Sequence, residues 1–245
     1  MAYLLALIAG TTLGLLGGGG SILVVPILVY IVKVDPKIAI TMSLAIVGLT
    51  GFMGTFRHYK NGNVLVKLAF QFGAMTMLST YLGTYLAKFL TGQMQLFIFA
   101  GIMLLASISM LKNGKEVKIK NTSNLTIFLA ASVVGIVTGL IGVGGGFLIV
   151  PALVNFFHVD MKKAVGTSLL IIAINSLIGF VGNIINSPGL ELDYQFIAIF
   201  TALAIVGSQI GSTLTHKLPQ EKLKKIFGYF LIVMGAFMII RETLL

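Results

Sequence analysis

The chain has 245 residues, 57% of them hydrophobic and 10% charged, with a net charge of +10 and no cysteine. A soluble domain carries about 25% charged residues, so a water-soluble globule is excluded, and the missing cysteines exclude disulfides and thiolate metal sites. The basic surplus fits the positive-inside rule of membrane proteins rather than a nucleic-acid partner.

Eight apolar segments follow one another, at 2–32, 37–57, 67–89, 94–111, 125–157, 162–185, 193–215 and 222–240. Runs of this length between short polar knots predict an all-α integral membrane protein. Residues 1–13 lack the basic leader and cleavage site of a signal peptide. Asp35, followed by Pro36, and Asp160 open the second segment of each half and are expected as helix N-caps. The longest polar stretch, 113–124, reads as a cytoplasmic linker between a first repeat at 1–112 and a second at 125–245.

The halves are copies. Gly14 to Val29 (GLLGGGGSILVVPILV) lies over Gly139 to Val154 (GLIGVGGGFLIVPALV), and 10–44 against 135–169 gives 17 identities in 35 positions. Beyond a three-residue insertion, Tyr81 to Leu90 (YLGTYLAKFL) faces Gln209 to Leu218 (QIGSTLTHKL). Internal repeats in an apolar chain mark transporter folds.

The first segment of each half is too long for one crossing. A 31-residue helix would extend ~46 Å against a hydrocarbon core of ~30 Å, and glycines interrupt it at 17–20 and 142–146. Two half-helices of ~18 Å each can cross as a broken helix or return as a re-entrant hairpin. If all eight segments cross, the 17 cationic residues divide 8 to 9. If the first segment of each half is a hairpin, only Lys33, Lys37, Lys88 and Arg241 stay on one side and the other 13 gather opposite, as positive-inside demands. The expectation is therefore two inverted repeats, each a glycine-interrupted hairpin plus three transmembrane helices, with both termini outside.

Irregular backbone at membrane depth persists only beside protein or a water-lined cavity. The helices restarting after the breaks present unpaired N–H groups and a positive dipole end, which suits an anion. The candidate substrate-binding residues are Gly19, Gly20, Ser21, Gly144, Gly145 and Gly146 at the breaks. Ser43, Thr167 and Ser168 at the second segments join them, as do the deeper Asn175 and Gln209, and Arg57 at an inner mouth. The alternative for the glycines is tight helix packing, the role expected of Gly10/Gly14 and Gly135/Gly139. All seven acids lie in loops or at helix ends, and the three histidines also lie near ends, so no buried carboxylate receives a cation or relays protons. No catalytic or metal-binding cluster is visible, which argues against an enzyme.

The doubled glycine motif, each copy followed by Ser-Leu (Ser43-Leu44, Ser168-Leu169), resembles the sulfite exporter TauE/SafE family. FRHYKNGNVLVKLAF (Phe56 to Phe70) and IGSTLTHKLPQEKLKKIFGYFL (Ile210 to Leu231) resemble further stretches of it. The resemblance spans essentially the whole chain. It implies a secondary transporter, most simply an exporter, of sulfite, sulfoacetate or related organosulfur anions across the bacterial plasma membrane, with no cofactor. An anion channel using the same backbone donors is the alternative. Expected partners are a small inorganic or organosulfur anion and the lipid bilayer; no nucleic acid is expected, and a homodimer is left open. Ser21 stands where the second repeat has Gly146, so the two half-sites are not equivalent.

Overall fold

The computed structural model describes residues 2–111, 124–141, 146–155, 157–187 and 189–244, and these form an all-helical bundle. The first half holds α1 (Ala2–Leu16), α2 (Gly19–Pro26), α3 (Pro36–Lys60), α4 (Val66–Ala87) and α5 (Gly92–Leu111). The second holds α6 (Asn124–Ile141), α7 (Gly146–Asn155), α8 (Met161–Asn186), α9 (Tyr194–Lys217) and α10 (Gln220–Leu244). Gly144, Gly145 and most of the expected linker lie outside the described residues.

Among the described residues five helices are long and apolar enough to cross a membrane: α3, α5, α8, α9 and α10. The apolar segment at 67–89 predicts a crossing helix at α4 as well. Its 22 residues reach ~33 Å, but Thr76, Thr80 and Thr84 lower its hydropathy and are buried. They face α6 and α8 rather than the outside of the bundle.

The first segment folds back. Leu16 ends α1, Gly17 turns the chain at φ 72°, and α2 starts two residues later. A β-carbon on Gly20 would overlap the Ala9 carbonyl and Leu13, so α2 lies against the upstream part of α1. A continuing helix would carry Gly20 ~16 Å beyond Ala9. Pro26, which has no N–H to give, is followed by a π-helical turn at Ile27–Ile31. Lys33 (φ 63°) and His158 (φ 52°) occupy repeat-equivalent positions, and both take a left-handed conformation uncommon outside glycine. The two copies thus leave their second arms by the same bend.

Packing exchanges elements between the halves. The small face of α1 meets that of α9: β-carbons on Gly10 and Gly14 would overlap the carbonyls of Ala204 and Ser208, and ones on Gly207 and Gly211 would overlap those of Leu7 and Thr11. In the second repeat α6 meets α4 the same way, Gly135 and Gly139 against Thr76 and Thr80, with Gly83 against Ile136. This is the close backbone approach that small-xxx-small faces permit, as expected for the paired glycines. Between these pairs α3 and α8 run antiparallel, with Gly48 against Ser176 and Gly54 against Leu169. α5 and α10 also pack antiparallel, Gly228 against Leu111 and Gly235 against Leu104, closing one flank over a core of Phe99, Met103, Phe227 and Leu231.

The aspartates differ. Asp35 accepts a bond from the Lys37 N–H at 2.9 Å and caps α3 as expected. Asp160 holds the equivalent position before α8 but makes no side-chain cap bond. The N–H of Met161 donates instead to Gln220 Oε1 of α10 at 3.1 Å.

Candidate substrate site

The first glycine break sits at the tip of the α1–α2 hairpin. Gly18 precedes α2 with no side-chain cap on its first-turn N–H groups. The Ser21 hydroxyl, fully buried, donates back to the Gly18 carbonyl at 2.6 Å. Its proton is therefore committed to the turn, as are the N–H groups of Gly17 and Gly18, which donate to the Leu13 and Leu16 carbonyls. Gly17 presses on the start of α8: a β-carbon there would come 2.5 Å from Ser168 Oγ and 3.0 Å from the Val165 Cα, with Val150 of α7 at 3.1 Å. Val150 lies one turn beyond Gly146, the first residue of α7.

The last turn of α1 leaves carbonyls without intrahelical partners, and other elements satisfy them. His58 Nε2 bonds the Gly14 carbonyl at 3.1 Å, so Nε2 is the protonated nitrogen in that contact. Thr215 Oγ1 of α9 lies 3.1 Å from the Gly14 carbonyl and 3.0 Å from that of Leu15. In the second repeat Gln95 Nε2 of α5 donates to the Leu140 carbonyl at 2.6 Å. The last turn before each break is tied to the crossing helices by side chains.

The predicted residues divide among several places. Gly19, Gly20 and Ser21 form the start of α2, with Ser168 beside the Gly17 turn. Thr167, one residue away, accepts the Leu65 N–H at 3.0 Å and holds the α3–α4 loop. Ser43 is buried and donates to the Ile40 carbonyl at 2.7 Å. Asn175 is buried where α8 meets α4: its Oδ1 accepts from Thr76 Oγ1 at 2.7 Å, while Nδ2 has no partner. Gln209 reaches the Met53 carbonyl of α3 at 3.1 Å, away from the break. Arg57 is exposed on the last turn of α3. Gly146 opens α7, whereas Gly144 and Gly145 lie outside the described residues.

Two polar seams run through the bundle, and of their members only Asn175 is a candidate from the sequence. Thr50, Ser208 and Ser212 have buried hydroxyls without hydrogen-bond partners, and Ser208 faces Gly54 of α3. The repeat-equivalent seam is Asn175 of α8 with Thr80 and Thr84 of α4, again with uncommitted atoms on Asn175 and Thr80, so each seam joins the two halves. His58, near the end of α3, is fully buried. The signal was available: Gly51, Gly54, Thr55 and His58 recur at helical spacing and make one small-or-polar stripe on α3. Buried polar atoms without partners cost free energy; one seam lies against Gly14 of α1 and the other against Gly139 of α6.

The profile of the sulfite exporter TauE/SafE family matches residues 2–238. The chain belongs to that family. A probable membrane transporter protein of Xylella fastidiosa is 32% identical over 96% of this chain and 92% of its own length. One from Haemophilus influenzae is 29% identical over 98% of each chain. The Bacillus subtilis probable membrane transporter protein YunE is 28% identical over 95% of this chain and 94% of its own. No solved structure matches. This TauE/SafE member is a membrane transporter by family and by relatives, not an enzyme.

Proposed function

We propose that this protein is a secondary carrier, operating as an exporter, of small sulfur-containing oxyanions such as sulfite or sulfoacetate. The anion is held at the glycine breaks by backbone N–H groups. The observation that carries this reading is the α2 start: an uncapped helix N-terminus behind a glycine turn, against Ser168, with its one hydroxyl proton already used. Helix-end charge contributes ~0.3–1 kcal/mol when exposed and up to ~2 when partly buried. Two ends and several N–H bonds reach the ~4–8 kcal/mol of a millimolar-to-micromolar site. Among the described residues every acid lies in a loop or at a helix end, which disfavours a cation. The repeats are read as inverted, rocking about the α3–α8 crossing. In support, α3 and α8 run antiparallel and each repeat lends its first helix to the other.

Purified protein in liposomes should release preloaded sulfite or sulfoacetate well above empty vesicles, with saturation and stimulation by anion on the opposite side. Flux that never saturates and ignores counter-anion would indicate a pore. Uptake of a cation or neutral solute with no anion flux would overturn the reading.

The proposed setting is the bacterial plasma membrane with both termini outside. Lys37, Lys88 and Arg241 lie toward the end where α3 starts and α4 and α10 finish, while Arg57, Lys60, Lys67, Lys162 and Lys217 lie toward the other. Because the chain has no cysteine, single substitutions Glu191→Cys, Thr243→Cys and Lys67→Cys test it directly. An impermeant maleimide on intact cells should label the first two and spare the third; the reverse pattern would invert the topology.

A further inference from the structure

At the end of the bundle where α3 begins and α4 and α8 finish, a basin of about 450 Å³ opens between Lys37 and Lys88. A neck of about 20 Å³ shares both lysines with the basin and is floored by Thr41, Thr84, Gln95 and Asn183. That volume holds about one water. The polar floor is organised: Asn183 Nδ2 donates to Thr41 Oγ1 at 3.2 Å, and Thr41 donates to the Lys37 carbonyl at 3.0 Å. Gln95, 4% exposed, uses Nε2 on the Leu140 carbonyl. The floor is therefore bonded to the last turn of α6, immediately before the second glycine break.

The charges are unbalanced. Asp35 is the one acid on the basin wall, and its carboxylate is engaged with the Lys37 backbone N–H. Among the described residues neither lysine pairs with a carboxylate; the Lys88 ammonium lies 5.0 Å over the Tyr85 ring. Two lysines against one carboxylate leave the cleft net positive, and a net-positive cleft raises the local concentration of anions. The repeat sets Lys162 and His216 at the positions equivalent to Lys37 and Lys88, so basic residues recur in both copies.

We propose that this vestibule is an oxyanion-binding subsite, separate from the glycine breaks, where Lys37 and Lys88 gather the anion in the basin and the second Nδ2 proton of Asn183 meets it at the mouth of the neck. Its role in transport rests on the carrier reading above; its affinity for anions does not. The test therefore reads binding without transport. Ser187 lines the neck, and Ser187→Cys gives this cysteine-free chain one thiol there.

Purified Ser187→Cys protein in liposomes is treated with a methanethiosulfonate bearing a sulfonate and with one bearing a trimethylammonium, each rate normalised to a free thiol. The anionic reagent should react faster by on the order of tenfold. High salt and millimolar sulfoacetate should both reduce that preference. Lys37→Gln with Lys88→Gln should abolish it, while Lys67→Gln, at the opposite end of α4, should leave it intact. Helix content and a single size-exclusion peak establish that the double variant folds. Equal normalised rates in the parent, unchanged by removing the lysines, would overturn the vestibule. Anion flux without charge preference sinks the vestibule alone. Preference without flux for any anion sinks the carrier and leaves the vestibule standing.

Discussion

Gly139→Ala is expected to unfold this protein in detergent well below the parent's melting temperature, while the same exchange at Gly101 leaves it unchanged or slightly more stable. Both glycines lie inside helices, so both exchanges remove the same backbone entropy cost of ~0.5–1 kcal/mol. They differ only in what the methyl group meets. At Gly101 there is nothing within 4 Å. At Gly139 the new carbon would overlap the Thr80 carbonyl, come 2.7 Å from the Thr84 backbone nitrogen and 2.9 Å from the Gly83 Cα. All three are backbone atoms, so no rotamer relieves the clash and α6 must move off α4. Overpacking of this kind costs ~1–3 kcal/mol and sometimes more; a rigid helix pair belongs at the top of that range. Melting monitored by circular dichroism decides it. Equal melting temperatures for the two variants would mean that the α4–α6 contact is loose.

The second large effect is expected at the hairpin turn. Gly17 and Gly62 have nearly the same left-handed backbone, at φ 72° and 69°. An L-residue in that region costs ~1–2 kcal/mol, so Gly62→Ala, which meets nothing within 4 Å, should lose that much and keep transport. Gly17→Ala carries the same strain and also drives a methyl toward Ser168 Oγ and the Val165 backbone. The turn must then shift off α8, taking the start of α2 with it. Gly17→Ala is expected to abolish sulfite or sulfoacetate flux even in protein that still purifies as a single species, because the N–H groups proposed to hold the anion are set by that turn. Comparable flux in the two variants would separate the turn from the transport path.

Much of the architecture was legible because membrane solvent leaves few choices. Segment ends came within a few residues, since apolar runs and short polar knots admit one reading, and the duplication was visible in the glycine motif itself. Choosing a hairpin over a broken crossing needed only the distribution of lysines and arginines; the fold-back of Gly20 onto Ala9 and Leu13 agrees with it. The exchange of partners was not legible. The small face of α1 was evident, but Ala204, Gly207, Ser208 and Gly211 make an equally small face on α9, and one sequence does not say which faces meet. Site chemistry was legible for rare residues and poorly so for common ones. Asn175 stood out because an amide at membrane depth needs a partner. Ser21 looked like a ligand donor, yet the nearest free carbonyl, that of Gly18, claims its proton. His58 was missed because proximity to a helix end was taken for exposure, whereas the α1 hairpin covers that end of α3.

The crossed partnership also sets a clock on biosynthesis. The surface that α1 needs begins at Tyr194, so the ribosome must add nearly 180 more residues after Leu16 before that partner exists. At ~5–20 residues per second, α1 waits on the order of ten to forty seconds with its glycine face uncovered. During that interval a short helix of ~22 Å, too short to span the bilayer, has neither its lasting neighbour nor, at first, the α2 arm. The nascent first half is therefore the stage at which this protein most depends on the insertion machinery, or on lipid itself, to shield a surface made for another helix.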